Sequence, residues 1–390
     1  MSVMRAAVHL SPRVAASAGR ASSRSLGKSS VTAVRRRVAP PARGVVTMRA
    51  AGDDEVVDDT PPVEEAMVEV VVEEVTPDAV ASAPVDAQPV EDVAPVTADF
   101  APAANATDEI VYTLQGPEPV KFGVADGELT NVLTASASFV TRAVSGALCE
   151  GWTPAIIEGA CPEGTYTFGE LGGRYLRESS DVGKYPRPAK PIKMYEFEGC
   201  PFCKKVREAQ IWLDLDVEFY PCPQNGPTFR EFVKTTGGKA QFPYMVDDNT
   251  GTAMYESDAI IDYMYDKYGP GKDKVSSLLR AGAFTILTAG IGLAPRGGAG
   301  SKYTAAKMPD KPITLYSYEA SPFCKLVREK LVELEIPHLL KASGRGSPKR
   351  QEMFDKRGRF QAPYIEDPNT GVAMFESAAI VKYLEQTYAA

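Results

Sequence analysis

Two thiols stand three residues apart in Cys200-Pro201-Phe202-Cys203. At that spacing one sulfur can attack a disulfide and the other resolve the product, or the two can close on each other. The chain has six Cys in 390 residues, and Cys149, Cys161, Cys222 and Cys324 are scattered. That density is far below a disulfide scaffold, so the pair points to redox or metal chemistry. A zinc site needs two further ligands. His9 and His338 are the only histidines, and Cys149 and Cys161 bring no second pair at ligand spacing, so no metal is expected. Pro201 is preorganised for the first turn of a helix, which puts Cys200 at a helix N-terminus. Unpaired N–H groups and the helix dipole there favour a thiolate. Lys204 and Lys205 add positive charge one turn on. Cys203 is then the resolving thiol. Cys222, flanked by Pro221 and Pro223, is a further thiol near this motif.

The elements that must hold this motif occur twice. Residues 198–208 (EGCPFCKKVRE) match residues 319–329 (EASPFCKLVRE). Residues 241–251 (QFPYMVDDNTG) match 361–371 (QAPYIEDPNTG), and 253–261 (AMYESDAII) match 373–381 (AMFESAAIV). The offset is 121 at the first block and 120 at the others, so the repeats differ by one loop residue. In the first repeat, period-two and turn signals predict strands at 192–197, 217–220, 244–246 and 253–255, with a hairpin turn at 248–251. Helices are predicted at 201–213, 229–234 and 257–268, the last capped by Ser257. The order is β-α-β-α-β-β-α, an α/β unit with helices on both faces of a four-stranded sheet.

This order and these motifs resemble glutaredoxins and the N-terminal domain of glutathione transferases, over residues 190–268 and 312–388. They are closer still to a plant and algal plastid family with two such units in tandem. The resemblance implies two thioredoxin-like domains, 191–269 and 312–390. It implies a cis Pro243 facing the active cysteine, where the backbone around Phe242 and Pro243 can pair with glutathione laid alongside as an extra strand. It assigns the γ-glutamyl end of glutathione to Glu256 and Ser257, where a helix N-terminus suits a carboxylate; a plain N-cap serine is the alternative. Lys193, Lys239 and Gln241 are candidates for the glycyl carboxylate. In the second repeat Ala362, Pro363, Glu376 and Ser377 keep the glutathione-binding elements. There, however, Ser321 takes the nucleophile's place and only Cys324 remains. A serine hydroxyl cannot exchange disulfides, so Ser321 either hydrogen-bonds a glutathione thiolate, as in some transferases, or marks a redox-degenerate unit.

The implied function is a glutathione-dependent thiol–disulfide oxidoreductase, with Cys200 as nucleophile and glutathione as co-substrate. Its partners would be protein disulfides or glutathionylated proteins. A glutathione transferase or isomerase is the first alternative. It is weakened because about 40 residues separate the repeats, where transferases place a large helical domain. A non-enzymatic glutathione-binding scaffold is the other alternative. Iron–sulfur assembly is disfavoured by Pro201 after Cys200.

The flanking segments read differently. Residues 1–50 hold nine Arg, one Lys and no acid. With their abundant Ser, Ala and Val this is the composition of a transit peptide; chloroplast stroma is the expected location and mitochondrial import the competitor. The formal charge of −8 leaves about −18 for the rest, which offers nucleic acid no attraction. Residues 51–116, acidic and rich in Pro, Ala and Val, are expected to be a disordered linker. Residues 117–190 are expected to be a small helical leading segment, with a strand at Val120, Phe122 and Val124. Its helix would start near Gly127 and use Leu129, Val132, Leu133, Ser136, Phe139, Val140, Val144 and Leu148. The Gly-rich apolar run within the 270–311 linker, too short to span a bilayer, is expected to pack between the repeats or touch a membrane surface.

Overall fold

The computed structural model describes residues 110–121, 123–142 and 145–390. The expected transit peptide, nearly all of the acidic linker, Phe122 and Val144 lie outside them. The leading segment contributes strand β1 (Thr113–Gln115), helix α1 (Leu129–Arg142) and strands β2 (Thr153–Glu158), β3 (Glu170–Leu171) and β4 (Arg174–Ser179). The segment is therefore not only helical: β2, β4 and β3 form a separate antiparallel sheet. Most of its side chains are exposed or half-buried, so no clean apolar alternation marked these strands. The strand expected at 120–124 lies earlier, at β1, because its pairing is with a distant strand.

The first repeat is β5 (Ile192–Glu196), α2 (Pro201–Trp212), β6 (Val217–Pro221), α3 (Phe229–Gly237), β7 (Tyr244–Asp247), β8 (Thr252–Met254) and α4 (Ser257–Tyr268). Helices α5 (Ser277–Arg280) and α6 (Ala283–Leu293) fill the linker. The second repeat is β9 (Ile313–Ser317), α7 (Pro322–Glu333), β10 (His338–Ala342), α8 (Lys349–Arg357), β11 (Tyr364–Asp367), β12 (Val372–Phe375) and α9 (Ser377–Tyr388). Both have the predicted thioredoxin-like order. In each, a parallel pair (β5–β6, β9–β10) is followed by antiparallel additions (β5–β7–β8, β9–β11–β12). The hairpin turns are anchored identically. Asp247 accepts hydrogen bonds from Asn249, Tyr263 and Tyr268, and Asp367 from Asn369, Tyr383 and Tyr388.

The two sheets fuse. Edge strands β6 and β10 pair antiparallel, His338 opposite Phe219, giving one nine-stranded sheet ordered β1-β12-β11-β9-β10-β6-β5-β7-β8. One core runs through both repeats, from Ile192, Phe219 and Met264 to Ile313, Leu340 and Leu384. Across the seam the His338 ring stacks on Phe219, with centroids 5.4 Å apart.

Over this seam each of α2 and α7 gives buried cations to a carboxylate in the turn before the other. Lys204 Nζ reaches Glu319 at 2.7 Å, and Lys325 Nζ reaches Glu198 at 3.0 Å. Arg207 Nε donates to Glu319 at 3.0 Å, and Arg328 Nε to Glu198 at 3.1 Å. Outside this core, Arg142 of α1 pairs with Glu208 at 2.6 Å, and Arg296 after α6 pairs with Glu329 at 2.7 Å. Burial alone would raise the Glu319 carboxyl; Arg207, Arg328 and Lys204 outweigh it and hold it at about 2.

Helices α1 and α6 close on each other through small residues. Ser138 Oγ donates to the Gly292 carbonyl at 2.9 Å. A Cβ on Gly292 would stand 2.9 Å from the Ser138 backbone. The helix predicted in the leading segment is present, but it buries Val132, Ala135 and Ser138, while Leu129, Leu133, Phe139 and Val140 are exposed. Among the described residues no helix is long and apolar enough to cross a membrane.

Breaking one side of the charge cluster should be costly. Glu319→Ala leaves Lys204, Arg207 and Arg328 without a carboxylate they share, and urea unfolding should show a loss of about 3–5 kcal/mol. A loss under about 1 kcal/mol would mean that these charges are solvated. His338 supplies a pH test. Burial lowers its pKa from 6.5 to about 4. Between those values the unfolded chain binds a proton that the folded chain refuses, so stability falls as pH drops from 6.5 to 4. Relative to His338→Phe, the natural chain should lose about 3 kcal/mol over that window; parallel curves would contradict the assignment.

Candidate functional site

Strand β5 delivers the chain to Cys200, and Pro201 starts α2 there. Cys200 is the N-cap, with φ −89° and ψ 119°, and its Sγ accepts the Cys203 N–H at 3.2 Å. The Phe242–Pro243 peptide is cis. It turns the Phe242 carbonyl toward the sulfur, 3.9 Å away. Cys200, the start of α2 and the cis proline thus meet.

The two thiols are pushed apart in acidity. A hydrogen bond from the Cys203 thiol, aided by the Cys203 N–H and opposed by burial, lowers the Cys200 pKa below the ordinary thiol value. Burial and the neighbouring Cys200 raise Cys203 well above it. Lys204 and Lys205 do not supply the expected charge to the site. Both are buried in ion pairs, Lys204 with Glu319 and Lys205 with Asp258 at 2.6 Å. The nearby cation is Arg207, which also binds Glu196. Burial raises Glu196 to about 7 against the pull of Arg207. Cys222 is fully buried at the end of β6, where burial raises its thiol well above normal.

Cys200 is 4% exposed. The linker loop after α6 packs against the turn just before Cys200: a Cβ on Gly199 would overlap Ser301, and Glu198 N–H donates to the Gly300 carbonyl at 3.2 Å. A cavity of about 230 Å³ lies between this loop and the start of α2, lined by Gly199, Pro201, Leu293, Arg296, Ser301 and Lys325 but not by Cys200 itself.

Residues that the resemblance assigns to glutathione make contacts of their own near the α4 start. Gln241 Nε2 donates to Glu256 Oε1 at 2.6 Å, and Lys239 Nζ lies 4.8 Å from the Tyr255 ring centre. Glu256 has φ 68°, a conformation costly for a non-glycine residue. This strained residue, not Ser257, is the N-cap of α4; Ser257 is its first helical residue. Lys193 is paired with Asp248 at the β7–β8 turn, at the end of β5 away from Cys200. Arg230, which the sequence did not single out, lies 4.7 Å from the Phe242 ring centre and donates to the Cys222 and Pro223 carbonyls.

The second repeat copies the geometry without the thiol. Ser321 caps α7 and accepts the Cys324 N–H at 3.2 Å. Ala362–Pro363 is cis, Glu376 has φ 68°, and Gln361 donates to Glu376 at 2.7 Å. Ser377 opens α9, and Cys324 is fully buried. Here the chain's own leading segment lies on the site. The Val120 N–H donates to Glu376 at 3.0 Å, and Arg350 donates to the Tyr166 hydroxyl at 2.9 Å. Among the described residues no group of three or more His, Cys, Asp or Glu side chains gathers as a metal site.

Fold and site define a pair of thioredoxin-like domains, one with a dithiol at a helix N-terminus. Residues 194–272 and 315–390 each match the family profile described as glutathione S-transferase, N-terminal domain. Among solved structures, a glutathione transferase of Bombyx mori is 30% identical, covering 22% of this chain and 39% of its own, with a TM-score of 0.20. A trimeric glutathione transferase of Leishmania is 16% identical, covering 52% of this chain and 68% of its own, with a TM-score of 0.19. The chain thus spans about two-fifths of the silkworm protein. No curated protein matches it.

Acidity, against exposure, sets the expected order of alkylation. At pH 7 iodoacetamide should modify Cys200 first, with an apparent pKa below the ordinary ~8.5. Cys161 is more exposed, but its pKa is raised, first by burial and then by Glu170. It should lag until the pH is well above neutral. Peptide mass spectrometry reads each site, and faster labelling of Cys161 than of Cys200 at pH 7 would overturn this ordering.

Proposed function

We propose that the protein is a glutathione-dependent thiol–disulfide oxidoreductase working through Cys200. The observation that carries this reading is the split between the two thiols: Cys200 with a lowered pKa at the α2 N-terminus, and Cys203 buried with a raised one. The Cys200 thiolate attacks a disulfide sulfur. A bond forms between Cys200 Sγ and that sulfur, and the other sulfur leaves with the electron pair and takes a proton. When the substrate is a glutathionylated protein, Cys200 becomes glutathionylated. A second glutathione thiolate then attacks this mixed disulfide, releasing oxidised glutathione and restoring Cys200. For a protein disulfide, Cys203 loses its proton and attacks Cys200 Sγ of the mixed disulfide, and the substrate sulfur leaves with the electron pair and takes a proton. Two glutathione molecules later reduce the Cys200–Cys203 disulfide, leaving as oxidised glutathione.

In the first repeat the glutathione backbone is assigned to the cis peptide at Phe242–Pro243, with its γ-glutamyl end at Glu256 and Ser257. Arg207 stabilises the thiolate and Glu196 opposes it. In the second repeat Ser321 has no sulfur to exchange, and Glu376 already accepts a backbone N–H from Val120. That occupancy favours the oxidoreductase over a transferase centred on Ser321.

Turnover separates the roles. Cys200→Ser should abolish reduction of a glutathionylated peptide in a glutathione, glutathione reductase and NADPH assay. Cys203→Ser should keep that reaction within about tenfold but lose reduction of an intact protein disulfide. Undiminished turnover by Cys200→Ser would refute the mechanism. Conjugation of a model electrophile that survives Cys200→Ser and disappears with Ser321→Ala would establish the transferase instead.

A further inference from the structure

The second repeat displays what its surface binds. Strand β1 adds parallel to edge strand β12, Thr113 opposite Val372 and Gln115 opposite Met374. The chain then turns at Gly116, φ 91°, where a Cβ would crowd Met374. Residues 118–120 continue across the site. Val120 N–H donates to Glu376 at 3.0 Å and its carbonyl faces the Gln361 amide at 3.5 Å. Arg359 donates to the Pro119 carbonyl at 3.5 Å and to the Glu118 carboxylate at 2.5 Å. An extended segment with an acid two residues before an apolar one is therefore read by a strand edge, a glutamine–glutamate pair and one cation.

The first repeat carries the same devices with no such segment among the described residues. Edge strand β8 pairs only with β7. Gln241 and Glu256 stand where Gln361 and Glu376 stand, hydrogen-bonded to each other, and Glu256 is exposed. Exposed Lys239 takes the place of Arg359. We propose that this face of the first repeat binds an extended acidic segment of another protein. Its N-terminal part lies along β8, an apolar residue gives its N–H to Glu256 and its carbonyl to Gln241, and an acidic side chain two residues earlier meets Lys239. The equivalent run in the second repeat takes residues 113–120, bent at Gly116, more chain than a tripeptide supplies, so the occupant of the whole face is a polypeptide, which competes with glutathione for Gln241 and Glu256. Gln241 adjoins Phe242, whose carbonyl lies 3.9 Å from the Cys200 sulfur. A docked segment therefore runs past the thiol. Docking itself needs no redox step and is tested without one.

The probe is a fluorescein-labelled peptide with the sequence of residues 110–121, added to the full chain carrying Cys200→Ser, with anisotropy as the readout. Saturable one-to-one binding is expected. Lys239→Glu should weaken it at least tenfold, and so should replacing the peptide's glutamate by lysine, while Arg359→Glu should leave it within about twofold. Absence of saturable binding up to about 1 mM, or equal affinity in the Lys239→Glu protein, would overturn the proposal. Weakening by Arg359→Glu alone would also overturn it, because the peptide would then be exchanging into the second repeat. Loss of reductase activity with retained binding would reject the redox mechanism and leave this inference standing.

Discussion

The molecule is organised by a set of charges that neither repeat can bury alone. Taking a carboxylate or guanidinium out of water costs several kcal/mol, recovered only when opposite charges and hydrogen bonds surround it. Glu198 and Glu319 satisfy that condition reciprocally, each receiving a lysine and an arginine from the other repeat. The flanking pairs Arg142–Glu208 and Arg296–Glu329 then draw the leading helix and the linker to the same interface. With β6 and β10 pairing beneath, two domains that could have been joined by a tether become one continuous sheet and core.

The chemistry is placed by that interface. Glu198 and Glu319 lie two residues before Cys200 and Ser321, so the turns that fix the cluster also fix the two helix N-termini. This explains why Cys200, at 4% exposure, is sheltered and not displayed. It also explains why Arg207 serves twice, bridging the repeats and sitting near the thiol. One asymmetry is confined to the first repeat: Glu196 binds Arg207 where the second repeat has Ser317, hydrogen-bonded by Arg328 at 3.3 Å. The dithiol repeat thus has an extra buried acid beneath its sulfurs, and the serine repeat does not.

The repeats have diverged in access as well as in chemistry. One keeps both thiols, and among the described residues no strand pairs with the outer edge of its β8. The other has Ser321 in place of the first thiol and is covered by residues 113–120 and by Tyr166. The surrounding geometry does not depend on the thiol: cis Pro363, strained Glu376 and the Gln361 amide match their first-repeat counterparts although Ser321 replaces the cysteine.

Much of this was legible in the residues. Local rules place Pro201 in a first turn, make Asp248-Asn249-Thr250-Gly251 a hairpin and alternate the apolar residues of short strands, and the duplication showed each element twice. The thioredoxin-like order, the helix start at Cys200 and the serine at the matching position 321 therefore followed from sequence. What did not follow depends on partners far apart in the chain. Lys204 and Lys205 read as charges near a thiol because their carboxylates, Glu319 and Asp258, are 115 and 53 residues away. Ser257 read as a cap because a left-handed glutamate before it has no sequence signature. The leading helix read as burying its large apolar residues, whereas close approach to Gly292 buried the small ones. The sheet 153–179, the β6–β10 seam and the covering of the second site were decided only in three dimensions, because long-range pairing, and not local propensity, determines which edge meets which strand.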